Sequence, residues 1–167
     1  MRDRLYVHIV WTTRGREPTI DATVARFLSR FLPAIARQER AGLHALGMVR
    51  THVHLLLQLH PTTSISRLLQ RLKGGSSVLA NREGHAAARP LRWARGYNIE
   101  SVSPRALAAA REYVLRQPAH HPREAIPGWS GAGESTEEGS GAVGGDSQGE
   151  MSEDIRGPFS RLKSRLG

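Results

Sequence analysis

The 167-residue chain has no cysteine, so disulfides and thiolate metal sites are excluded. That suits a reducing compartment, and the expected location is the cytoplasm. No apolar run approaches the roughly 20 residues of a membrane span, so no membrane partner is expected. The opening Met1-Arg2-Asp3-Arg4 is not expected to act as a signal peptide. Lysine is nearly absent as well, occurring only at Lys73 and Lys163. Acidic residues are scarce in the first part of the chain: residues 1–126 carry 20 Lys and Arg against 8 Asp and Glu, a net of +12. A bias of arginine over lysine explains which base is used, but not the excess of charge. A basic domain of this kind fits a polyanionic partner, most simply nucleic acid.

Residues 127–167 differ, with 4 basic residues against 7 acidic ones, a net of −3. Residues 128–167 hold 10 of the 17 glycines, with much Ser, Glu and Asp. Such a composition cannot bury enough apolar surface to offset its ordering entropy. The expected organisation is one domain over residues 1–126, followed by a Gly/Ser/acidic disordered tail over 127–167. Within the tail, residues 159–166 are basic with spaced apolar side chains, a candidate short helix on a partner. No internal repeat is visible.

The chemistry begins at Thr51-His52-Val53-His54-Leu55-Leu56-Leu57. An apolar run bounded by polar residues reads as a buried strand. Residues i and i+2 of a strand share a face, so His52 and His54 project side by side. Two imidazoles on a rigid strand are half of a metal site, or else an ordinary pair of strand histidines. A second cluster lies at 103–118. Ser103 is an N-cap and Pro104 suits the first helical position. The alanines favour helix, and Pro118 is expected to stop it. Tyr113 and Gln117 fall one turn apart on one face, beside a stripe of Leu107, Ala110 and Val114. This helix offers a phenol and a carboxamide, or merely a tyrosine at the rim of a core.

The remaining elements follow from periodicity. Residues 5–13 alternate as a strand. Asp21 caps a helix to about Gln38, with Val24, Phe27, Leu28, Phe31 and Ile35 on one face. Pro33 is expected to kink or split that helix, and Gly42 to end it. Residues 43–50 and 52–59 read as strands. Thr63 or Ser64 caps a helix carrying Ile65, Leu68, Leu69 and Leu72, weakened in its middle by Gly74 and Gly75. Residues 84–92 read as a loop and 96–102 as a last strand before the Tyr113 helix. This order implies an α+β domain: a ferredoxin-like split βαβ antiparallel sheet with helices on one face, plus a C-terminal tyrosine-bearing helix. In that topology His52 and His54 sit mid-sheet, and the Tyr113 helix could cover their face.

Taken together, these segments resemble the single-tyrosine HUH transposases of bacterial insertion sequences and their REP-associated relatives, over roughly residues 4–125. The resemblance rests on the His52–His54 strand and the Tyr113–Gln117 helix. It also rests on the first strand and its basic exit, Tyr6 to Arg16, and on Leu72-Lys73-Gly74. Gly96-Tyr97 through Ser103, and Gln117-Pro118-Ala119-His120-His121, complete it. The family often has Pro-Asn or Pro-Asp before the histidines, where this chain has Arg50-Thr51. The resemblance implies the HUH endonuclease fold, with Tyr113 as nucleophile and His52, His54 and Gln117 as ligands of Mg²⁺ or Mn²⁺. It implies cleavage and rejoining of single-stranded hairpin DNA through a 5′-phosphotyrosine, by a homodimer. Candidate DNA-binding residues are Arg14 and Arg16 near Trp11, Lys73, and Arg92, Trp93 and Arg95, where aromatics sit beside cations as in single-strand binding. Trp11 and Trp93 read equally well as core. His120 and His121 are read as solvent-facing or structural, and His8 and His60 as strand-face and loop residues. The competing readings are a catalytically silent hairpin-binding module and an HUH replication initiator or relaxase.

Overall fold

The computed structural model describes residues 5–131. The tail and its 159–166 segment therefore lie outside the described residues, apart from positions 127–131. Four strands form one antiparallel sheet in the order β2-β3-β1-β4. They are β1 (Leu5–Thr12), β2 (Ala41–Val49), β3 (His52–Leu59) and β4 (Asn98–Val102). This is the expected split βαβ arrangement, with β3 flanked by β2 and β1.

Alternation on the central strands divides the side chains between two faces. Ile9, Trp11, Val53, Leu55 and Leu57 point to one face and are buried against α1 (Ala22–Gln38) and the helical stretch 65–82. Val24, Leu28, Leu32 and Ala36 of α1 are fully buried there. Tyr6, Ala45, Leu56 and Val102 point to the other face, where they meet Ala110 and Val114 of α4 (Leu107–Leu115). The Tyr113 helix thus covers the face that carries the histidines.

Several boundaries differ from the sequence expectation. Helix α1 runs through Pro33 without splitting, because its buried stripe holds both halves on the same sheet. Asp21 caps it, its carboxylate accepting from Val24 N at 2.9 Å. Gly42 does not end α1 but belongs to β2. The stop lies at Glu39 and Arg40, the latter at a φ of 60°. Stretch 65–82 comprises α2 (Ile65–Leu69), a π-helical turn (Gln70–Gly74) and α3 (Gly75–Arg82), so the glycine pair loosens the winding without breaking the path. The last helix ends before Pro118. Arg116 leaves the helical conformation, and Pro118 opens a short α5 (Gln117–His120), a position that suits proline's fixed φ.

Candidate metal and nucleophile site

The site forms where β3 passes beneath α4 and α5. His52 and His54 face the same way and are fully buried, their rings 5.1 Å apart. Helix α4 approaches the sheet closely because the residue paired with His54 is Gly47. A Cβ there would lie 1.9 Å from the Val114 carbonyl oxygen and 2.9 Å from Gln117 Cγ. The absent side chain lets the helix rest backbone-on-strand. Gln117 is thereby fully buried over the histidines.

Tyr113 stands half-buried at the edge of the group. Its ring lies 5.8 Å from that of His54 and 6.0 Å from that of His8, both edge-on. The ring of His120 lies 5.0 Å away. His121 stands edge-on to His52 at 4.9 Å. The two C-terminal histidines, read from sequence as solvent-facing or structural, therefore border the site.

Burial keeps the imidazoles neutral. His52 and His8 are each lowered to about 4, chiefly by loss of solvent. For His52 the neighbouring His121 adds to the effect, while Glu124 opposes it. His54 is pushed down as well, first by burial and then by His52 and His8. A neutral imidazole has one nitrogen carrying hydrogen and one lone pair, as metal ligation requires.

Six buried side-chain atoms among the described residues lack a hydrogen-bond partner, and three of them converge here: His52 Nε2, His54 Nε2 and Gln117 Oε1. The Gln117 amide nitrogen donates to Tyr113 O at 3.1 Å, which leaves its oxygen as the group free to act on the histidines. The Gln117 side chain lies near enough to His52 to oppose the lowering of its pKa, as the smallest of the contributions. Leaving such atoms unsatisfied costs roughly 1–3 kcal/mol each. Two imidazole nitrogens and a carboxamide oxygen make a donor set that suits a divalent cation with open positions.

The far nitrogens are occupied. His54 Nδ1 lies 2.9 Å from His8 Nε2, and His52 Nδ1 lies 2.9 Å from Thr51 Oγ1. His8, Thr51 and Gly47 did not stand out in the sequence. His8 lies 46 positions from His54, and only the strand register brings the two together.

The basic candidates sort themselves by position. Thr13 bridges to Trp93, Ala94 N donates to Thr12 O, and Arg14 N donates to Arg92 O. The exit of β1 and the loop before β4 are thus stitched together, close to His52, which pairs with Thr12. Arg14, Arg16, Arg92 and Arg95 are exposed on these segments. Lys73 instead donates to the carbonyls of Ala94 and Gly96 at 2.9 and 2.6 Å, so its ammonium fastens the loop. Trp93 packs edge-on to the buried Trp11, and its indole N–H donates to Ser76. Both tryptophans are core residues in this arrangement. His60 is an exposed loop residue bonded to Thr62.

Comparison with known proteins agrees with this architecture. A candidate transposase from Deinococcus radiodurans R1 is 28% identical, with a TM-score of 0.55 over 70% of this chain and 93% of its own. A REP-associated tyrosine transposase bound to a REP hairpin shares the fold at 14% identity, with a TM-score of 0.56 over 72% of each chain. No curated protein matches. Residues 1–117 match the model of the family described as "Transposase IS200 like", and the chain belongs to that family.

Proposed function

We propose that this transposase cleaves and rejoins single-stranded hairpin DNA, using Tyr113 as nucleophile and a divalent ion held by His52, His54 and Gln117. The observation that carries the reading is the convergence of three unpartnered buried polar atoms beside a tyrosine. When bound, Mg²⁺ or Mn²⁺ would neutralise and polarise the scissile phosphate. The phenolic oxygen of Tyr113 attacks phosphorus, forming an O–P bond as the P–O3′ bond breaks. The phenol loses its proton, and the 3′-oxygen ends protonated as a hydroxyl. One phosphodiester is exchanged for another, so the strand can be resealed without a nucleotide cofactor.

An ordinary phenol has a pKa near ~10 and is a weak nucleophile at neutral pH. Neutral histidines beside Tyr113 add no positive charge of their own that would repel a bound cation. The exposed Arg14, Arg16, Arg92 and Arg95 supply phosphate contacts next to the site. The hairpin substrate is supported by the fold shared with a REP-associated transposase bound to a REP hairpin. The chain would work in the cytoplasm, where the DNA is.

The test is metal dependence. His52→Ala and His54→Ala should abolish hairpin cleavage, and a chelator should silence the parent protein reversibly. Gln117→Ala should be milder, because water can replace a neutral ligand in an open site. Full cleavage in EDTA would defeat the metal assignment.

A further inference from the structure

The pairing at the far side of His52 has one consistent arrangement of hydrogens. Thr51 is buried in the two-residue turn between β2 and β3, and its carbonyl accepts from Thr13 N at 2.8 Å. Its hydroxyl lies 2.9 Å from His52 Nδ1 and donates to Glu124 Oε1 at 2.9 Å. A hydroxyl has one hydrogen, and a carboxylate only accepts. With that hydrogen committed to Glu124, Thr51 Oγ1 can only accept from His52, so Nδ1 carries the imidazole hydrogen. Nε2, the buried atom without a partner, is then left with its lone pair.

Glu124 is itself held in place. It ends a short 3₁₀ turn, Pro122–Glu124, after the tyrosine-bearing segment. Its main-chain oxygen accepts from Arg50 N at 2.8 Å. Its carboxylate lies 3.6 Å from Arg16 and 3.7 Å from His121. It lies beyond residues 1–117, which match the family model.

We propose that Thr51 and Glu124 form a positioning relay that locks His52 as the Nδ1–H tautomer and aims its Nε2 lone pair at the metal. The function assigned to the pair rests on the metal reading above, but the tautomer is a property of the metal-free protein. The relay also ties the segment beyond α5 to the strand that carries both histidines.

The experiment combines ¹⁵N NMR of the histidine rings with Mn²⁺ titration followed by electron paramagnetic resonance. The His52 signals are identified by their loss in His52→Gln. In the metal-free parent protein His52 should be the Nδ1–H tautomer. Thr51→Val keeps the shape but removes the acceptor; Nε2–H should gain population and Mn²⁺ affinity should fall by about 10-fold. Glu124→Leu frees the Thr51 hydrogen to turn toward Nδ1, with the same result. Thr51→Ser should preserve both the tautomer and the affinity. An Nε2–H tautomer in the parent, or an unchanged tautomer and affinity in Thr51→Val, would overturn the relay. A parent protein that binds no Mn²⁺ while His52 remains Nδ1–H and responds to Thr51→Val would uphold the relay and remove the metal reading.

Discussion

Gly47→Ala introduces one methyl group at the point where α4 touches β2. The added Cβ would lie 1.9 Å from Val114 O and 3.0 Å from Val114 C. An ordinary carbon–oxygen approach is about 3.3 Å, so the helix must lift by on the order of 1 Å. No rotamer change relieves a contact with backbone. Overpacking of this kind costs typically 1–3 kcal/mol. The displaced segment carries Tyr113 and Gln117, and a shift of about 1 Å in reacting groups can cost about 100-fold in rate. Urea unfolding and single-turnover formation of the covalent DNA adduct would measure the two effects. Gly42→Ala is the control, since it lies on the same strand with nothing within 4 Å of the new Cβ. Gly47→Ala should lose stability within that range and slow adduct formation by about 100-fold, while Gly42→Ala changes the rate little. A Gly47→Ala protein with the parent rate would refute the close approach of α4 as the basis of the site.

Two further outcomes are expected. His8 and His52 have folded-state pKa values near 4 against an ordinary 6.5, so the unfolded chain binds more protons between those limits. Stability of the metal-free protein is then fully present above pH 6.5 and falls toward pH 4; each group accounts for about 3 kcal/mol. Urea unfolding across that range should show a shallower decline in His8→Phe; equal slopes would contradict the assignment. A single-tyrosine enzyme that breaks and rejoins two ends needs two nucleophiles, so light scattering with hairpin DNA should give a dimer mass. Because α4 packs on its own sheet, a mixture of His54→Ala and Tyr113→Phe proteins should not regain cleavage; rescue would mean that Tyr113 serves the partner's histidines.

The parts of the site legible in the sequence were those encoded by short spacing. His52 and His54 share a face because strands alternate, and Tyr113 lies near Gln117 because they are four residues apart. The split βαβ order was legible for the same reason, since each element carried its own apolar period. What could not be read depends on register and on chain segments distant in sequence. His8 meets His54 only through the pairing of β1 with β3, and Thr51 meets Glu124 across 73 positions. Gly47 looks like a weak strand residue until α4 is seen against it. Gly42 carried the signal of a helix stop, yet strand pairing claimed it. Lys73 and Trp93 looked available for DNA because charge and aromaticity are visible in a sequence, whereas the carbonyls and Ser76 that engage them are not.

The most direct test follows the label on a cleaved hairpin. Single-stranded hairpin DNA labelled at its 3′ end is incubated with protein and Mg²⁺, then resolved on a denaturing gel. Attack by Tyr113 with departure of the 3′-oxygen predicts that the 3′ label travels with the protein, and that peptide mass spectrometry finds the phosphate on Tyr113. A 5′ label should leave with the released strand, and Tyr113→Phe should bind DNA yet form no adduct. An adduct that persists in Tyr113→Phe, or one that retains the 5′ label instead, would contradict the account.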